Sequence, residues 1–139
     1  MFGPGAVYDF FKALNDLISS ATQSIFVVDP YLDDEIFVSY LSAVSMSVTV
    51  RLLAKNRANN LKAAITKFVA QNGLQIEARL SDVVHDRVLF IDERSCWVLG
   101  QSIKDAAKTK PTYLAPLDHD TVILKKAVYE DIWATATVI

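Results

Sequence analysis

The sequence predicts an α/β sandwich, a mixed sheet flanked by helices, and three observations carry that expectation. Segments of helical spacing alternate with short apolar, β-branched runs as far as Leu80. Several strand-like runs then follow one another without helices between them, which argues against a purely parallel sheet. With 52% hydrophobic and 22% charged residues, the chain can bury a sizeable core.

Each element has its own local reason. Val7, Phe10, Phe11, Leu14, Leu17, Ile18 and Ala21 follow helical spacing, so residues 6–21 read as an amphipathic helix opened by Gly3-Pro4-Gly5. Residues 24–31 form a short apolar strand ended by Pro30. Asp33 or Asp34 then caps a helix running to about Val44. Residues 48–54 suit a buried strand, and Asn59 or Asn60 caps a third helix that stops at Gly73. Strands follow over 74–80, 84–92 and 95–101, the last two joined at Glu93-Arg94. Beyond Lys110, Pro111 and Pro116 bracket an extended piece, and residues 121–124 suggest one more strand. A final helix is expected from Lys125, with Val128, Ile132, Thr135 and Ala136 on one face. No repeat or linker interrupts the pattern, so residues 1–139 read as a single domain.

Composition narrows the function classes. The longest apolar runs are far too short to cross a bilayer, and the first residues do not read as a signal peptide. The expectation is a cytoplasmic protein without a membrane partner. One cysteine, Cys96, excludes an internal disulfide, and with only two histidines a zinc site is not expected. The net charge of −2 conceals an asymmetry: residues 1–35 hold six acids against Lys12 alone. Residues 36–76 hold none, but carry Arg51, Lys55, Arg57, Lys62 and Lys67. Such a run is ordinarily a solvated helix face, although it permits a local basic surface.

The chemistry concentrates between Val84 and Asp105. His85 and Arg87 stand two apart at a strand entrance, where alternation puts both side chains on one face. An imidazole beside a fixed positive charge suits attack on a phosphate. Asp92 closes the strand, and the next one delivers Gly100, Ser102, Lys104 and Asp105. Gly100 falls within a strand pattern, where glycine often marks close backbone approach. Asp29 and Tyr31 end the first strand, at the edge where α/β folds gather site residues, and are candidates to line a pocket. His119 reads as a surface residue, and Cys96 and Trp97 as packing residues.

His85-x-Arg87-x4-Asp92, followed by Gly100 and Ser102, resembles the signature of the phospholipase D superfamily, His-x-Lys-x4-Asp with a Gly-Ser-x-Asn-like turn. It is closest to a single-motif variant with arginine for lysine and a Gly-x-Ser-x-Lys-Asp segment, and the element order fits that fold along most of the chain. The resemblance implies a phosphodiesterase, most simply a nuclease, that needs no metal or other cofactor. His85 would be the nucleophile that forms a phosphohistidine. Arg87 would hold the phosphoryl oxygens, with Ser102, Lys104 and Gly100 completing the phosphate site. Asp92 joins the catalytic set as the residue that ties down the loops around it. Asp118 and Asp120 are candidates to orient His85. The mechanism needs a second imidazole as general acid, so it implies a homodimer. DNA or RNA is the expected partner. Arginine is larger and cannot surrender a proton, and the serine turn carries an extra residue. These departures leave open a catalytically inactive module that binds nucleic acid or another phosphate ligand.

Overall fold

The computed structural model describes residues 1–55 and 58–139. In chain order it comprises α1 (Val7–Ser19), β1 (Ser24–Val28), α2 (Glu35–Ser39), a 3₁₀ turn at Leu41–Ala43, β2 (Thr49–Ala54) and α3 (Ala58–Asn72). The remainder comprises β3 (Gln75–Leu80), β4 (Val88–Ile91), β5 (Ser95–Leu99), β6 (Leu114–Pro116), α4 (His119–Thr135) and β7 (Thr137–Val138). Arg57, part of the expected basic run, lies outside the described residues.

The strands form one sheet in the order β6-β5-β4-β1-β2-β3-β7. β1, β2 and β3 pair in parallel, while β4, β5, β6 and β7 join antiparallel. The sheet is therefore mixed, because β4 to β6 follow through turns and loops rather than crossover helices.

Strand alternation divides the core between two faces. Ile25, Val27, Val50, Leu52, Leu89 and Ile91 face one side, beneath α1, α2 and α3. Phe26, Val28, Leu53, Val88 and Phe90 face the other, beneath Val122, Tyr129 and Trp133 of α4. Phe10, Leu14 and Ile18 of α1 are buried at helical spacing. Each contributes about 1.5–3 kcal/mol of burial. Trp133 sits between two guanidiniums: Arg79 Cζ lies 4.5 Å and Arg51 Cζ 5.2 Å from its ring centroid.

Several boundaries differ from those expected. The helix after Asp34 leaves regular geometry at Tyr40 (φ −127°, ψ −51°), whose ring packs 5.6 Å from that of Phe11. Asn59 and Asn60 lie inside α3 rather than capping it. Gly73 does take the left-handed conformation that ends this helix (φ +73°), and its N–H donates to the Val69 carbonyl. The largest correction concerns residues 121–124, which are helical. The Asp118 carboxylate accepts from Thr121 N at 2.7 Å and starts α4 six residues before Lys125. That cap and the burial of Val122 override the strand preference of a β-branched run. The inner face of α4 is correspondingly Val122, Tyr129 and Trp133, and Val128 is exposed. Among the described residues, no helix is long and apolar enough to cross a membrane.

Candidate functional site

β4 runs antiparallel to both neighbours, so its first residues meet the ends of β1 and β5 at one edge of the sheet. Val28 pairs with Val88 at the end of the β1–β4 ladder, and just beyond it the Arg87 charge acts on Asp29. On the other side Val88 pairs with Val98, and Leu99 N donates to the Arg87 carbonyl at 3.0 Å. The regular ladder starts only at Val88, later than expected, because β1 turns away at Asp29-Pro30 and proline has no N–H to pair.

Alternation nevertheless continues through the lead-in. Val84 and Val88 pack beneath α4, and Asp86 between them also bonds to that helix. Arg87 comes next, and its charge acts on Asp29 at the end of β1; His85 stands two residues before it. His85 is exposed and makes no side-chain hydrogen bond among the described residues. Arg87 is half-buried, and its buried Nε has no hydrogen-bond partner among the described residues.

Asp29 is fully buried and organises this edge. Its Oδ1 accepts from Tyr31 N at 3.0 Å, and its Oδ2 accepts from Ser102 Oγ at 3.0 Å and Ile103 N at 2.8 Å. Burial pushes the carboxyl above its ordinary value, against the lowering effects of Ile103, Tyr31, Ser102 and the Arg87 charge. The carboxylate thus hooks the segment after β5 over the end of β1. Farther along that segment, Lys104 Nζ lies 6.0 Å from the Tyr31 ring centroid and pairs with Asp105.

Asp86, whose role the sequence did not reveal, anchors the strand entrance from the other face. It accepts hydrogen bonds from the Tyr129 hydroxyl and from Lys125 Nζ, the latter at 3.3 Å. The Tyr129 hydrogen bond holds its carboxyl below the ordinary value, with Lys125 and Arg87 adding to the effect against a smaller burial penalty. Its partners were hidden because the inner face of α4 was expected at Val128, Ile132, Thr135 and Ala136 rather than at Tyr129.

The structure brings Asp29, Arg87 and Ser102 together and sets Tyr31 and Lys104 nearby. Asp92, Asp118 and Asp120 lie elsewhere, and Gly100 and Ser102 are engaged within the protein. Ser102 is buried and gives its hydroxyl proton to Asp29, so it fixes the loop rather than offering a donor to phosphate. Gly100 gives its N–H to the Tyr113 carbonyl, and a Cβ there would lie 2.9 Å from Thr112 Oγ1 and the Tyr113 ring. The glycine accommodates that crossing segment rather than a phosphate.

Asp92 closes the far end of β4 and accepts from the N–H groups of Thr22, Gln23 and Ser24 at 2.7–3.1 Å. It ties the start of β1 and stands away from Arg87. Asp118 is spent as the α4 cap, seven residues or about 10 Å of helix before Lys125, so it does not orient His85. Asp120 lies in the same first turn. His119, the only other histidine, lines a cavity with Glu93 and Arg94 of the β4–β5 turn. The two imidazoles therefore belong to opposite ends of β4.

No family model matches the chain, and no curated protein matches it. Among solved structures, it superposes on TrmBL2, an archaeal chromatin protein with a novel mode of DNA binding, with TM-score 0.69 and 19% identity. That match covers 100% of this chain and 53% of TrmBL2, so the chain spans about half of that protein. NucT from Helicobacter pylori gives TM-score 0.73 at 16% identity, covering 100% of this chain and 96% of NucT. Nuc, a phospholipase D family member from Salmonella typhimurium, gives 0.66 at 19% identity, covering 92% and 89%. Mixed sheet, flanking helices and these superpositions together identify a phospholipase D-like α/β fold.

Proposed function

We propose that the chain is a phosphodiesterase, a nuclease that works without a metal as a homodimer, with His85 as nucleophile and Arg87 as phosphate clamp. The observation that carries this reading is the strand entrance itself. An exposed imidazole stands two residues from a half-buried guanidinium with an unpartnered Nε, on an edge fixed by Asp29 and Asp86.

A His85 ring nitrogen attacks phosphorus, forming a P–N bond as the P–O ester bond breaks. The leaving alkoxide takes a proton from the partner subunit's His85. That imidazole then removes a proton from water, whose oxygen attacks phosphorus. The P–N bond breaks, leaving a phosphomonoester and both histidines restored. Arg87 stabilises the charge that grows on the phosphoryl oxygens, and Lys104 adds positive potential at the same edge. A shared site is required because His119 lies toward the other end of β4.

The test is cleavage of bis(p-nitrophenyl) phosphate or single-stranded DNA in EDTA. Wild type is expected to turn over, and His85→Ala to lose activity by at least about 10³-fold with its melting temperature unchanged. Cleavage unaffected by His85→Ala would sink the assignment.

One observation favours a second reading. The Ser102 hydroxyl is spent on Asp29, and the superposed TrmBL2 is a DNA-binding chromatin protein. A binding module without catalysis would hold oligonucleotide with a steep salt dependence and leave it intact.

A further inference from the structure

A second cavity opens beside the Asp29 hook, between the first turns of α1, α2 and the segment following Ser102. Its volume is about 370 Å³, within the roughly 300–1,000 Å³ usual for small-molecule sites. Three aromatic rings form its wall in a row. Tyr8 lies 6.3 Å from Phe11, and Phe11 lies 5.6 Å from Tyr40. Tyr8 is 69% exposed, Phe11 is half-buried and Tyr40 is buried. Glu35 supplies a carboxylate, and Lys108 stands 4.0 Å from it.

Ile103 joins the cavity to the candidate phosphate site. It lines the cavity, while its N–H is held by Asp29, on which the Arg87 charge acts. The cavity and the Asp29 hook thus have Ile103 in common.

The chemistry selects among occupants. Aromatic rings near a carboxylate can hold a cation, but here Lys108 stands 4.0 Å from Glu35 and opposes one. A neutral planar ring meets no such penalty. It stacks on Tyr8 and Phe11, and any N–H donors on its edge find Glu35 as acceptor. Asp33, Asp34 and Asp105 add negative potential around that carboxylate, which favours a donor edge and a cation alike, so a cation is the competitor to test.

We infer that this cavity is a nucleobase site, suited to a base such as guanine that presents adjacent N–H groups to Glu35 while stacking on Tyr8 and Phe11. It would receive a base flanking the phosphate held at Arg87. That connection rests on the phosphodiester reading above, whereas binding of the free nucleoside does not.

The probe is guanosine, titrated by calorimetry into the full chain, with choline as the competing cation. Saturable guanosine binding is expected. Tyr8→Ala should weaken it at least about fivefold through lost stacking. Glu35→Gln should weaken guanosine more than adenosine, since adenosine does not offer the same pair of donors. Tyr8 is exposed, so its removal leaves the core intact, and an unchanged melting curve verifies this. His85→Ala should bind guanosine like wild type even where it abolishes cleavage.

A single-stranded oligonucleotide should bind more tightly than an abasic strand of equal charge, and Tyr8→Ala should erase that difference. Absence of guanosine binding, choline bound in preference, or affinity unchanged in Tyr8→Ala would overturn the inference. Loss of cleavage in His85→Ala would still stand in those cases. Conversely, guanosine binding by a chain that never cleaves would refute catalysis and retain the nucleobase site.

Discussion

Replacing Asp29 with alanine tests whether one buried carboxylate holds the candidate site together. The change removes the acceptor for Tyr31 N, Ile103 N and Ser102 Oγ at a fully buried position. Ser102 can rotate its hydroxyl elsewhere, but the two backbone N–H groups cannot, and each unsatisfied group costs roughly 1–3 kcal/mol. Relief of the carboxylate's own burial offsets part of the loss, leaving a net destabilisation of about 3 kcal/mol. At about 4 °C per kcal/mol for a chain of this length, the melting temperature should fall by ~12 °C.

Urea and thermal unfolding followed by circular dichroism would measure it, with Ser102→Ala alongside. The serine variant keeps both amide bonds and should lose only about 1 kcal/mol. A pH series adds a signature specific to this acid. Its folded-state pKa is raised above the ordinary 3.8, so the native state binds the proton more tightly than the unfolded chain. Its contribution is therefore fully present below pH 3.8 and is lost as pH rises through the raised value. Asp29→Asn does not titrate, so the wild-type stability relative to it should decline across that interval. Asp29→Ala within about 0.5 kcal/mol of wild type, the range of an ordinary surface change, would refute the hook.

Two further outcomes follow from the same edge and its opposite end. Asp92→Asn should cost about 1 kcal/mol in urea unfolding, and Asp92→Ala more, because alanine also tolerates φ +55° less well. Burial pushes this carboxyl up, but the Gln23, Ser24 and Thr22 bonds together leave it below 3.8, so its contribution should disappear as pH falls through that lowered value. Gly100→Ala should destabilise by about 1–3 kcal/mol, as its Cβ would meet Thr112 Oγ1 and the Tyr113 ring at 2.9 Å. Wild-type stability for this variant, read from the same melts, would mean that the β6 segment crosses elsewhere.

The residues show why the fold was more legible than the site. Short apolar runs made β1, β2 and the hairpin visible, since those strands bury apolar residues on both faces, and alternation made β3 visible, with Ile76, Ala78 and Leu80 on one face. The start of α4 was read wrongly because residues 122–124 are an unbroken apolar run: Val122 is buried, while Ile123 and Leu124 are exposed. Such a run has no stripe to distinguish helix from strand, and the Asp118 cap with the burial of Val122 decided it. At the site, His85 and Arg87 were legible because their relation is local. The uses of Ser102, Gly100 and Asp118 were not, because a donor's partner is set by tertiary placement. Ser102 finds Asp29 across 73 residues of sequence, and Gly100 gives its N–H to Tyr113 on the neighbouring segment.

The proposed reaction makes one demand that geometry within a single chain does not meet. Its two imidazoles lie toward opposite ends of β4, yet attack and protonation must occur at one phosphorus. If two His85 side chains share one interfacial site, a dimer carrying one His85→Ala subunit has lost either nucleophile or acid and is inactive. Mixing wild type with an equal amount of His85→Ala and allowing exchange leaves about one quarter of dimers wholly wild type, by random pairing of subunits in a two-fold assembly. These hold about half of the wild-type chains, so cleavage per added wild-type chain should fall to about half. Further excess of the variant should reduce it toward zero. Chains that complete the reaction alone would keep full activity at every ratio, and the interfacial site would then be wrong even though His85 remained the nucleophile. The experiment therefore separates which residue attacks from how many copies of it the reaction needs.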